Sequence, residues 1–90
     1  MITVYLPADL AGAFQAPSRV ELPARSLADM VRELDARHPG MRHWLTESDG
    51  RFRQHLSVFV GGVRLNEASS DGHPLAEGED VFVLRAVSGG

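Results

Sequence analysis

Five short runs of the chain alternate apolar and polar positions with a period of two, and one longer run repeats at helical spacing. Ile2, Val4 and Leu6 alternate with Thr3 and Tyr5, which predicts a strand over residues 2–6 closed by Pro7. Arg19-Val20-Glu21-Leu22 alternates again before Pro23 and predicts a second strand, paired with the first as a hairpin with a long connection. In that connection Leu10 and Phe14 fit one face of a helical turn. From Ser26 to His38 the period changes. Leu27, Met30, Val31 and Leu34 fall at i, i+3, i+4 and i+7 and form one apolar stripe. Ser26 suits the N-cap, with Asp29 three residues on as an acidic variant of the capping-box partner. Glu33 and Arg37 are spaced for an i,i+4 pair, Arg37 complements the C-terminal end of the helix dipole, and Pro39-Gly40 stops the helix.

The second half reads as strands again. Met41 to Leu45 adds one short turn, with Trp44 and Leu45 expected to cover an edge of the core. Thr46 to Arg53 is a polar loop turning at Asp49-Gly50. Leu56-Ser57-Val58-Phe59-Val60 predicts a third strand, Gly61-Gly62 a tight turn, and Val63-Arg64-Leu65 a fourth strand. After the polar stretch Asn66 to Pro74, Leu75 returns to the core and residues 81–86 form the fifth strand. The fold class is therefore α+β: a five-stranded sheet with one main helix packed on one face. If Ile2, Val4, Val58, Val60, Val81 and Val83 face that helix, the pleat turns Tyr5, Phe59, Phe82 and Leu84 outward. An outward apolar group of that size is a candidate partner surface.

Beyond Arg85 the side chains shrink: Ala86-Val87-Ser88, then Gly89-Gly90. A diglycine between two elements marks a turn, but at the end of a chain it makes a thin thread carrying a free carboxylate. Extended at about 3.3 Å per residue, the stretch from Arg85 reaches roughly 20 Å, enough to enter a narrow channel in another protein.

Composition removes other chemistries. With no Cys, the chain has no disulfide, thiolate metal site or Cys nucleophile. His38, His43, His55 and His73 match no short zinc spacing, so no metal is expected. Glu77 and Glu79 read as a solvated acidic turn, and Ser26, Ser57 and Ser88 lack a nucleophile-elbow context. A net charge of −3 recommends neither nucleic acid nor an anionic membrane as partner. The nine basic residues are all Arg, so the chain has no side-chain amine for isopeptide linkage to a second copy. The first residues lack the basic and apolar regions of a signal peptide, and the expected compartment is the cytoplasm.

Three stretches resemble the ubiquitin-like β-grasp proteins, and within them the bacterial sulfur carriers: the small subunit of molybdopterin synthase, the thiamine sulfur carrier and the cysteine-biosynthetic carrier. They are Leu34-Asp35-Ala36-Arg37-His38-Pro39-Gly40 at the helix end, Val58-Phe59-Val60-Gly61-Gly62, and Pro74 to Val81 followed by Ala86 to Gly90. Gly61 stands where the family often has Asn, and Arg85 where some members have Pro. The resemblance implies a β-grasp domain with a mixed sheet over residues 1–86 and a flexible tail over 87–90. It implies that a partner resembling ubiquitin-activating enzymes, an adenylyltransferase, uses ATP to adenylate the Gly90 carboxylate. Sulfur then replaces the adenylate, giving a thiocarboxylate that donates sulfur to a synthase in molybdopterin, thiamine, cysteine or specialised-metabolite biosynthesis. Gly89 gives clearance in the partner's channel. Tyr5, Phe59, Phe82, Leu84, Arg85, Val87 and Ser88 are the candidate partner-binding residues. On this reading the chain is a protein substrate and not an enzyme, and it binds no cofactor itself. The alternative is a ubiquitin-like modifier conjugated through Gly90 to lysines of target proteins.

Overall fold

The computed structural model describes residues 1–65 and 72–85. The elements run β1 (Ile2–Tyr5), α1 (Ala8–Ala13), β2 (Arg19–Leu22), α2 (Leu27–Arg37), α3 (Met41–Leu45), β3 (Leu56–Val60), β4 (Val63–Arg64) and β5 (Asp80–Arg85). They build one five-stranded sheet in the order β2-β1-β5-β3-β4. The central β1–β5 pair is parallel and the other pairs are antiparallel. This is the mixed sheet that the β-grasp resemblance implies. The long β1–β2 connection contains α1, a real but short helix whose Leu10 and Ala11 are buried. Phe14, the expected helical partner of Leu10, lies at its C-cap, half-buried against the core.

The core fills the space between one sheet face and the helices. Val4, Leu22, Val81 and Val83 from the strands meet Leu27, Met30 and Leu34 of α2, all fully buried. The α2 stripe alone, at about 1.5–3 kcal/mol per buried side chain, outweighs any surface contact in the fold. Leu34→Ala should therefore lower the unfolding free energy by about 2–5 kcal/mol in a denaturant titration; an unchanged midpoint would mean that the stripe is not buried.

Local chemistry sets the helix ends. The Asp29 backbone N–H donates to Ser26 Oγ at 3.1 Å, the expected cap, while the Asp29 carboxylate accepts from the Arg25 N–H at 3.2 Å and pairs with Arg32. Arg37 does not pair with Glu33. It lies close enough to β2 to donate to the Glu21 carbonyl at 3.1 Å, a tertiary bond that replaces the local pair. Gly40, with φ +98°, turns the chain into α3, and Asp35 Oδ1 accepts the N–H groups of Gly40 and Arg42 at 3.1 Å each.

The short α3 corrects the expectation for Trp44. Met41 and Leu45, four apart, are fully buried and fix the inward side. Trp44, about 100° around the helix from Leu45, is 48% exposed and does not cover the core. In the loop that follows, Gly50 takes φ +90°, and Thr46 and Phe52 form a bridge that closes it. Gly61 and Gly62, at φ +57° and +83°, supply the two positive φ angles of a two-residue hairpin loop between Val60 and Val63, which pair directly. Leu75 is buried as expected, held by a bond from its N–H to the Arg25 carbonyl. The expected tail over 87–90, the last residue of the fifth strand, and part of the 66–74 loop lie outside the described residues.

Candidate functional site

The sheet has two chemically different faces. Ile2, Val4, Val58, Val60, Val81 and Val83 point to the helices and are buried. Pleating sends Tyr5, Phe59, Phe82 and Leu84 to the other side, as the alternation predicts. Phe82 is 37% and Leu84 44% exposed, while Tyr5 and Phe59 are half-buried.

The register aligns these residues across the whole sheet. Tyr5 pairs with Arg19 on one side and Phe82 on the other, Phe82 pairs with Phe59, and Phe59 pairs with Arg64. Directly opposed residues share a face, so one row reads Arg, Tyr, Phe, Phe, Arg from edge to edge. The Tyr5 and Phe82 rings stack with centroids 4.2 Å apart and planes 5° from parallel. That separation is close to the spacing of adjacent strands, as expected for neighbours across the β1–β5 pair. Leu84, opposite Ser57, extends the apolar surface toward the end of β5. Toward the other end, Glu21, Thr3 and Asp80 form a polar row.

Arg85 does not join this face. Its position in β5 has the parity of Val81 and Val83, and its guanidinium meets Asp9 in the first turn of α1. Nε donates to Asp9 Oδ2 at 2.6 Å, and a second guanidinium nitrogen donates to the same oxygen. The hydrogen-bonded Arg85 guanidinium lowers the Asp9 pKa, and Asp9 in turn raises that of Arg85. The Asp9 carboxylate is ionised at neutral pH, and the pair is lost only as pH falls through this lowered pKa.

Thus the structure brings Tyr5, Phe59, Phe82 and Leu84 together and separates Arg85 from them. Val87, Ser88, Gly89 and Gly90 lie outside the described residues. Sequence reasoning missed Arg19 and Arg64, which flank the aromatic row, and Asp9. The first two were findable from the hairpin registers; the third depends on a contact between residues 76 positions apart. Among the described residues no cluster of three or more His, Asp or Glu side chains is placed to hold a metal. None of the described helices is long and apolar enough to cross a membrane. On the helix side, a cavity of about 120 Å³ is lined by Leu27, Val31, Arg32, Arg42, Thr46 and Phe52, and shares no residue with the aromatic face.

Solved structures of the same shape exist. One chain of the Amycolatopsis orientalis BexX/CysO complex superposes with a TM-score of 0.86, covering 100% of this chain and 100% of that one at 20% identity. Mycobacterium tuberculosis CysO matches with a TM-score of 0.87 over 97% of this chain and 100% of its own, at 21% identity. The fold is the ubiquitin-like β-grasp. A third β-grasp neighbour, SAMP1 from Haloferax volcanii, has a TM-score of 0.69 at 25% identity, with 99% of this chain and 98% of that one covered. No protein-family model and no curated protein matches the sequence. The parallel β1–β5 pair at the centre of this β-grasp sheet is what places the end of β5 beside the start of α1.

Proposed function

We propose that this β-grasp chain is a sulfur carrier, a protein substrate whose Gly90 carboxylate is activated by a partner and loaded with sulfur. The observation that carries the reading is the full-length likeness to CysO chains, 100% of both chains in the Amycolatopsis case, in a sequence that runs to Gly89-Gly90. The outward apolar face beside the end of β5 supports it, because a partner that takes the tail must also hold the sheet. That CysO was crystallised with BexX gives a precedent for a carrier held by a protein partner.

The chemistry divides into two displacements. A Gly90 carboxylate oxygen attacks the α-phosphate of ATP, and pyrophosphate leaves. A sulfide-level nucleophile, HS⁻, then attacks the acyl carbon, AMP leaves and the proton is lost, so the carboxylate becomes a thiocarboxylate; where the donor is a persulfide, the acyl disulfide first formed is cleaved by a reducing thiol. On this reading the partner supplies the acid and base for the proton transfers. A sulfur-accepting synthase then takes the sulfur. The second reading, a modifier joined through Gly90 to lysines of other proteins, is favoured by the likeness to SAMP1 of Methanosarcina acetivorans, a small archaeal modifier protein, at TM-score 0.76.

Intact mass spectrometry after incubation with cytosolic extract, ATP and a sulfur donor separates the readings. Exchange of one oxygen for one sulfur on the full chain is the expected result. Adducts to larger proteins would support the modifier, and an unchanged mass would overturn both.

A further inference from the structure

Position and chemistry single out the pair Asp9–Arg85. Because β1 and β5 run parallel, with Tyr5 beside Phe82, their C-terminal ends lie at the same end of the sheet. The chain that leaves β1 reaches Asp9 four residues after Tyr5, and the chain that leaves β5 does so at Arg85. Arg85 is held on both sides: its backbone pairs with Leu56 of β3, and two of its guanidinium nitrogens donate to one oxygen of Asp9. Two charge-assisted donors on a single carboxylate oxygen tie the Arg85 head group to Asp9. As an exposed pair, with side chains 54% and 50% exposed, it adds little to global stability. Its leverage is local, at the residue from which the segment 86–90 departs.

We infer that Asp9 is a positioning residue for activation of the carrier: by holding Arg85, it anchors the end of β5 beside the outward face that an activating partner would engage. This rests on the proposed reading that Gly90 is activated by a partner. Such a partner must engage the outward face and the Gly90 carboxylate at once. Every backbone torsion already fixed at the root of the tail is one that binding need not order. The contact also gives Arg85 a role different from touching the partner, since its charge is engaged on the helix side of the sheet, away from Phe82 and Leu84.

Charge reversal tests this in two ways. The first compares wild type, Asp9→Arg, Arg85→Asp and the double reversal, using an adenylyltransferase purified by its ability to catalyse pyrophosphate exchange with the wild-type chain. Each single reversal should raise the KM for the carrier about fivefold at unchanged melting temperature, and the double reversal should restore it. Single variants with wild-type KM, or a double variant no better than Arg85→Asp, would overturn the inference; the latter would mean that Arg85 touches the partner directly. The second measurement needs no partner. The ¹⁵N order parameter of the Ala86 amide should fall in each single variant and recover in the double one, and equal values in all four proteins would overturn the clamp. Failure to find any activating enzyme counts against the carrier reading, whereas the relaxation data judge the clamp alone.

Discussion

Deletion of Gly90 is expected to abolish ATP–pyrophosphate exchange with the activating partner, and so is the addition of one residue beyond it. In either variant the reacting carboxyl carbon moves along the channel by about one residue length, roughly 3.3–3.6 Å. Attack on a phosphate requires the reacting atoms at about 3–3.5 Å with aligned orbitals, and a misplacement of about 1 Å already costs on the order of a hundredfold in rate. A shift of a whole residue therefore removes activity beyond the usual limits of detection. The fold should be untouched, because among the described residues the core is complete from Ile2 to Val83 and the change is confined to position 90. Thermal unfolding curves that superpose on wild type, together with lost exchange, are the expected pair of results. Normal exchange by either variant would overturn the carrier and modifier readings together, because both act through the Gly90 carboxylate.

The parts of the fold that could be read from the sequence are those whose signal is periodic. Residues 2–5, 19–22, 56–60 and 80–85 alternate because one side of each strand is buried and the other is not, so the pattern carries both the element and its facing. The same holds for α2, where four buried side chains recur at helical spacing. Where an element is too short to show a period, the sequence was less informative. The six residues of α1 bury only Leu10 and Ala11, and the five of α3 only Met41 and Leu45. Trp44 was misplaced for that reason: one turn does not define a stripe, and residue size alone favoured burial.

Contacts between distant residues were the least legible. Arg37 was expected to meet Glu33, its neighbour along the helix, but the packing of α2 against the sheet offered the Glu21 carbonyl instead. Asp35 reads as an ordinary polar position in α2, yet it caps α3. Arg85 was grouped with Leu84 because the two are adjacent in sequence. Parity places successive strand residues on opposite faces, and the parallel β1–β5 register brings Asp9 within reach. The facing of Tyr5, Phe59 and Phe82, by contrast, follows from parity alone once the buried valines are assigned, while the placing of Tyr5 beside Phe82 rested on the β-grasp resemblance. The register adds that they form one row ending in Arg19 and Arg64.

That row gives the second large expected effect. Leu84→Glu and Phe59→Glu should each raise the dissociation constant for the activating partner by about thirtyfold or more, the equivalent of ~2 kcal/mol per anchor. The reason is the position of the two residues. Leu84 is the outward residue nearest the end of β5, and Phe59 lies in the row between Phe82 and Arg64. A new carboxylate on the face adds the cost of desolvating a charge to the loss of apolar contact. The stability cost should differ between the two sites. Leu84 is 44% exposed and makes no part of the buried core, so its substitution should shift unfolding by within about 0.5 kcal/mol. Phe59 is half-buried and should cost somewhat more. A direct binding titration and a denaturation curve on each variant and on the double mutant decide the matter. Wild-type affinity in the double mutant would show that the partner docks elsewhere. Loss of affinity with Leu84→Glu still folded would place the partner on the aromatic face.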